Sequence, residues 1–156
     1  GPHKKFCRMT RFFGGMNSEK QKVSEPDGWL TKMWACDTMK KKNLQTGDLC
    51  AFYYSNKILV KRVIATPGDY IWIESDGTVF LNGNPLDEPY ISEKALGECD
   101  VEFPYQVPEN CYFVMGDKRE TSIDSRSSVI GCIPEDQIVG KIFCKFWPLS
   151  EFEFID

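Results

Sequence analysis

Val60-Lys61-Arg62-Val63-Ile64-Ala65-Thr66-Pro67-Gly68-Asp69 is the stretch that decides how this chain folds. Ile58, Leu59, Val60, Val63 and Ile64 are apolar on both parities, so neither face of the strand they form looks fully turned to water. Thr66-Pro67-Gly68-Asp69 is the turn that ends it. Lys61 shares a face with Leu59 and Val63 in that run. Desolvation disfavours an ammonium and pulls its pKa down, one of the few routes by which a lysine becomes a proton acceptor near neutral pH. The same lysine also reads as a side chain that snorkels to the strand edge.

Working outward, strands recur with turn signals between them: Leu49 to Tyr54, Ile58 to Ile64, Tyr70 to Glu74, Thr78 to Leu81, Cys111 to Met115 and Ile138 to Phe146. Asp76-Gly77 is a hairpin signal between two of them. Such spacing predicts a mostly β chain, a barrel or sandwich with little helix. The segment from Ser92 to Asn110 has weak periodicity and two prolines, and reads as a long crossover or insertion. The first 43 residues are the least regular, with Trp29 to Trp34 a short apolar strand or turn, so the expected division is an irregular segment 1–43 and a β domain 44–156.

The 156 residues are 42% hydrophobic, enough for one sizeable core, and the net charge of -4 gives no reason to expect a nucleic-acid partner. No apolar run approaches the roughly 20 residues needed to cross a bilayer. Seven cysteines contain no C-x-x-C pair, which argues against a zinc ribbon or a thioredoxin-type redox site. Cys50, Cys111, Cys132 and Cys144 read as small buried hydrophobes, while Cys36 and Cys99 lie in more polar surroundings where a bridge is conceivable. Trp29, Trp34, Trp72 and Trp147 read first as core or strand packing; Trp29 or Trp34 at a membrane interface is the other reading. The single histidine, His3, follows Gly1-Pro2 in what reads as a scar of tag removal, so neither a Ser-His-Asp triad nor a histidine-containing metal site is expected.

A second segment carries chemistry. Gly116-Asp117-Lys118-Arg119-Glu120-Thr121-Ser122-Ile123-Asp124-Ser125-Arg126 follows the apolar strand Cys111 to Met115, which puts a dense set of hydroxyls and charges at a strand end. Ser122 is able to hydrogen-bond an amine, and Asp124 with Arg126 to form a charge-assisted pair that fixes the loop. A polar turn held by local side-chain to backbone bonds is the plainer alternative.

Together these segments resemble the type I signal peptidases, membrane-anchored serine endopeptidases with a Ser/Lys dyad. Lys61 to Asp69 reproduces the family's K-R-V-I-G-x-P-G-D with Ala65 in place of glycine, and Gly116 to Arg126 reproduces G-D-N-R-x-x-S-x-D-S-R with Lys118 in place of asparagine. Gly47-Asp48-Leu49-Cys50-Ala51-Phe52 is similar to the family's G-D-x-V-x-F strand, and Leu81 to Tyr90 to its L-N-G-x-x-x-x-E-P-Y segment. Ile133 to Lys141 and Phe146-Trp147-Pro148 extend the likeness over about residues 44 to 150.

The resemblance implies Lys61 as general base, with Ser122, Asp117, Asp124 and Arg126 as supports, no metal and no cofactor. It names a nucleophile in S-M-x-P-T-L, and that string is absent. Thr38-Met39 lies too close to the Gly47-Asp48 strand. Gly14-Gly15-Met16-Asn17-Ser18-Glu19 resembles the box with glycine at the serine position. Ser18 and Ser24 both stand at plausible distances before Lys61, and Ser24-Glu25-Pro26 reads as an S-x-x-P shortened by one residue.

Two functions remain open. One is a signal peptidase-like enzyme that processes secreted or surface precursors on the extracytoplasmic face of a membrane, by resemblance that of a Gram-positive cell, through an N-terminal anchor that has been removed. The other is a homologue without catalysis that binds pilin or another surface precursor as a pilus assembly factor, using strand addition to a sheet edge.

Overall fold

The computed structural model describes the backbone of Val23–Ser24, Met33–Asp37, residues 43–147 and Glu153–Phe154, and the side chains of residues 43–142. Ser18, the stretch Trp29 to Lys32 and the side chains of Trp34, Cys36, Cys144 and Trp147 lie outside the described residues.

The strands in chain order are β1 (Val23–Ser24), β2 (Met33–Asp37), β3 (Leu49–Tyr54), β4 (Lys57–Ala65), β5 (Tyr70–Ile73), β6 (Val79–Leu81), β7 (Asn84–Pro85), β8 (Tyr105–Gln106), β9 (Cys111–Met115), β10 (Ile133–Pro134), β11 (Ile138–Trp147) and β12 (Glu153–Phe154). One turn of 3₁₀-helix, Glu135–Gln137, is the helical element among the described residues. No described helix is long and apolar enough to cross a membrane. The mostly β reading therefore holds, in two sheets.

The larger sheet runs β10-β9-β4-β3-β11-β12, with β1 pairing β4 and β2 pairing β11; the smaller runs β7-β6-β5-β8. β4 is the strand that joins the two layers. Its odd-numbered Val63 and Leu59 pack with Phe52, Val114 and Ile138 in one core, while Ile64 and Ala65 pack with Ile71, Ile73, Val79, Phe113 and Met115 in a second. Both faces of β4 and β9 are covered, which is why their sequences are apolar without alternation.

The turn after β4 forms as its residues require. The Asp69 N–H donates to the Thr66 carbonyl at 3.0 Å, and Gly68 adopts φ +87° at the position after proline where a type II turn needs a positive φ. The Asp69 side chain accepts from both the amide and the hydroxyl of Thr66, at 2.9 Å each.

Three local readings change or narrow. The crossover from Ser92 to Asn110 contains β8, which pairs with β5 through Tyr70↔Gln106 and Ile71↔Tyr105; two residues are too few for a period-2 signal. Trp72, read as core or strand packing, takes the second form: it is 42% exposed on the outward face of β5, opposite Phe80 and tilted against Phe103. Cys50 is buried, but Cys111 and Cys132 are only half-buried beside the second core. Cys99 is a free thiol whose Sγ donates to the Val101 carbonyl at 3.9 Å.

Candidate active site

β3 covers one edge of β4 from Lys57 to Arg62. The opposite edge is shared: β1 pairs in parallel through Val23↔Ile58 and Ser24↔Leu59, and β9 pairs antiparallel through Arg62↔Met115 onward. Val60 and Lys61 fall between these two partners. β9 ends at Met115, and the chain turns back on itself: the Ser125 N–H donates to the Val114 carbonyl at 3.1 Å, and the Ser125 hydroxyl accepts from the Val114 N–H at 3.0 Å. That return brings Ser122 over the face of β4 that carries Lys61.

Lys61 is 4% exposed, and its Nζ donates to Ser122 Oγ at 3.0 Å. The Ser122 hydroxyl in turn donates to Asp124 Oδ2 at 2.7 Å. The direction of these bonds has a consequence. Ser122 commits its one proton to the carboxylate, so its oxygen faces the amine as an acceptor and holds one N–H of Lys61.

Asp124 is itself clamped. It accepts from the Gly116 N–H at 2.9 Å, from Arg126 Nε at 2.8 Å and from Arg126 Nη2 at 2.9 Å, and both side chains of this ion pair are fully buried. Arg126 spends its remaining donors on the carbonyls of Leu96 (2.6 Å), Arg119 (2.9 Å) and Ser122 (3.2 Å). A buried charge pair is tolerated when every lone pair and proton has a partner, and here Gly116, Ser122 and the three carbonyls supply them around the pair. Gly116 has to be glycine: a Cβ on it would fall onto the Ser122 side chain and within 3.4 Å of Lys61 Nζ.

Asp117 stands elsewhere. Its carboxylate takes a bidentate pair from Arg62 at 2.9 and 2.8 Å, with no bond to the Lys61-Ser122-Asp124 chain among those described. Arg62 also donates to the Gly47 carbonyl at 2.8 Å and lies 4.1 Å from the centre of the Tyr90 ring. Arg119, buried, donates to the Gly116 carbonyl at 2.9 Å and forms a fork with Glu88 at 3.0 and 2.6 Å. Arg62, Glu88, Tyr90, Gly116, Arg119 and Ser125 were not singled out from sequence. Each lies inside one of the segments quoted above, so the signal was present as motif and absent as an individual role.

A cleft of about 440 Å³ opens beside the lysine, lined by Tyr54, Ser55, Lys57, Leu59, Lys61, Thr121, Ile123 and Ile130. Its walls mix apolar side chains with the amines of Lys57 and Lys61. Among the described residues no group of three or more His, Cys, Asp or Glu side chains is arranged to hold a metal ion. Of the two candidate serines, Ser18 lies outside the described residues, and the backbone of Ser24 stands beside Leu59, two residues along β4 from Lys61.

Comparison with known proteins agrees with this geometry. The family model described as signal peptidase, peptidase S26, matches residues 16–147. Signal peptidase IB of Staphylococcus aureus (strain MRSA252) is 38% identical over an alignment of 131 residues, which takes in 74% of this chain and 67% of that protein. Signal peptidase I of Bacillus caldolyticus is 38% identical over 119 residues, 69% of this chain and 64% of that protein. The chain thus spans about two thirds of the length of these relatives. A crystal structure of a signal peptidase I from Enterococcus faecalis V583 superposes with a TM-score of 0.53 and 28% identity, covering 64% of this chain and 97% of that one. The matched span takes in the lysine strand, the Ser122 loop and β11 together, and the chain belongs to the signal peptidase S26 family.

Proposed function

We propose that this chain is the extracytoplasmic part of a membrane-anchored endopeptidase that removes signal peptides from secreted and surface precursors, with Lys61 as general base and Ser24 as nucleophile. The observation that carries the reading is the buried Lys61 amine, held by Ser122, which is itself fixed by Asp124, in the lining of the cleft. The register of β1, with Ser24 beside Leu59 and two residues along β4 from Lys61, supports the choice of Ser24.

In this reading the neutral Lys61 amine takes the Ser24 hydroxyl proton as the oxygen attacks the scissile carbonyl, and neighbouring backbone N–H groups stabilise the oxyanion. Collapse breaks the C–N bond, and Lys61 returns the proton to the departing amine. Water then attacks the acyl ester with Lys61 again as base, which frees the signal peptide and the serine. Ser122, Asp124 and Arg126 position the lysine throughout; Asp117 supports β4 through Arg62.

A second reading, a precursor-binding assembly factor for pilin or another surface protein, draws support from the missing S-M-x-P-T-L string and from Ala65 and Lys118. Cleavage of a synthetic signal peptide with small residues before the scissile bond, in detergent, separates the two. Product formation that disappears in Lys61→Ala and Ser24→Ala, and survives in Ser18→Ala, is the expected result. No product from folded protein over a long incubation replaces it with the assembly-factor reading.

A further inference from the structure

We infer that Glu88-Pro89-Tyr90 is a positioning clasp that holds the Lys61 strand and the Ser122 loop at their working separation, an inference that rests on the reading of Lys61 as the base. Glu88 and Tyr90 lie in the connection between β7 and β8, far in sequence from either segment, yet the two arginines that flank the site meet there. Glu88 takes both Nη atoms of Arg119 at 2.6 and 3.0 Å, and the Tyr90 hydroxyl donates to Glu88 Oε1 at 3.1 Å. The Tyr90 ring lies 4.1 Å from the guanidinium carbon of Arg62, the residue next to Lys61. Arg119 passes the constraint on, because its Nε holds the Gly116 carbonyl at 2.9 Å while the Gly116 N–H holds Asp124 at 2.9 Å.

This pair is not an ordinary surface bridge. The side chains of Arg119 and Glu88 are 0% and 3% exposed, and a planar fork on a carboxylate fixes orientation as well as distance. Burial, followed by the Glu88 carboxylate, raises the Tyr90 phenol above its ordinary pKa. It therefore stays protonated and donates to Glu88 instead of repelling it. β4 and β9 are joined separately from this contact, through Arg62↔Met115, Val63↔Val114 and Ala65↔Phe113. What the clasp adds is the placement of the side chains above that pairing.

The test uses Tyr90→Leu, Glu88→Gln and Tyr90→Phe in the whole chain, with two readouts. The first is acylation of Lys61 by acetic anhydride, measured by peptide mass as a ratio to the exposed Lys57 and Lys94. Tyr90→Leu and Glu88→Gln are expected to raise that ratio about tenfold, and Tyr90→Phe, which keeps the ring over Arg62, to leave it within about threefold. The second is signal-peptide cleavage, where the same two variants are expected to lower kcat about 10²-fold with KM within about twofold.

An unchanged Lys61 ratio in Tyr90→Leu and Glu88→Gln, accompanied only by a lower melting temperature, overturns the clasp and leaves a structural contact. Should wild type cut no peptide, the labelling readout still decides the clasp, and it is the peptidase reading that fails. Should Tyr90→Leu not fold, the isosteric Glu88→Gln carries the comparison.

Discussion

Lys61 Nζ and Ser122 Oγ, sixty-one residues apart in sequence, are joined by a buried 3.0 Å hydrogen bond. Because the serine proton is already given to Asp124, the bond fixes which way the amine points. Ser122→Ala removes the acceptor and leaves two buried polar partners, which costs about 1–3 kcal/mol of stability. It is also expected to lower kcat/KM for a signal peptide by about 10²-fold through misplacement of the base. Chemical denaturation and steady-state kinetics on one preparation check both numbers; an unchanged kcat/KM would remove Ser122 from any positioning role.

The Asp124-Arg126 pair is fully buried on both sides, so its members are expected to be more sensitive to loss of one partner than to loss of both. Asp124→Ala or Arg126→Ala strands a desolvated charge and is expected to cost about 3–5 kcal/mol. The double variant should lose less than the sum of the two. A double-mutant cycle in urea reads this directly, and additive losses would mean that the two groups act independently.

Cys132 offers a pH prediction whose sign follows from its burial. Burial pushes its thiol up to about 11, partly offset by the Tyr105 hydroxyl that donates to its Sγ at 3.2 Å. The native state therefore keeps a proton that the unfolded thiol gives up near 9, so the stabilisation is fully present below pH 9 and is lost as pH rises toward 11. Wild type is expected to lose melting temperature between pH 8.5 and 10.5 more steeply than Cys132→Ala, by about 2–4 °C over that interval. Parallel melting curves would show that the thiol does not titrate in this range.

How much of this was legible in the sequence depended on how local the cause was. β3, β4, β6 and β9 were readable because apolar runs bounded by Gly, Pro and Asn need only their own residues to declare themselves. β7, β8 and β10 were not, since each is two residues long and exists only because a neighbouring strand presents an open edge. At the site, the charge inside β4 and the Ser122–Arg126 loop were visible as anomalies, and the Asp124-Arg126 pair follows from their spacing. The Tyr90 ring against Arg62 and the Glu88 carboxylate on Arg119 come from a connection far along the chain, and no local pattern shows that one tripeptide serves both.

Gly116 gives the sharpest test of the geometry, because its own backbone conformation is not the constraint. Its φ is not in the left-handed region, so alanine there carries no backbone penalty and acts only through the space it fills. That space belongs to Ser122, with Lys61 Nζ at 3.4 Å behind it. Gly116→Ala must therefore push Ser122 off either the amine or Asp124, at about 1–3 kcal/mol of overpacking. Adding Ser122→Ala to it removes the hydroxyl, the nearer of the two clashing atoms, while the Ser122 Cβ stays at 2.6 Å, and is expected to recover part of that loss without restoring cleavage. Stability of the double variant below that of Gly116→Ala would place the clash elsewhere, and recovered cleavage would show that the hydrogen bond from Lys61 to Ser122 is not what readies the base.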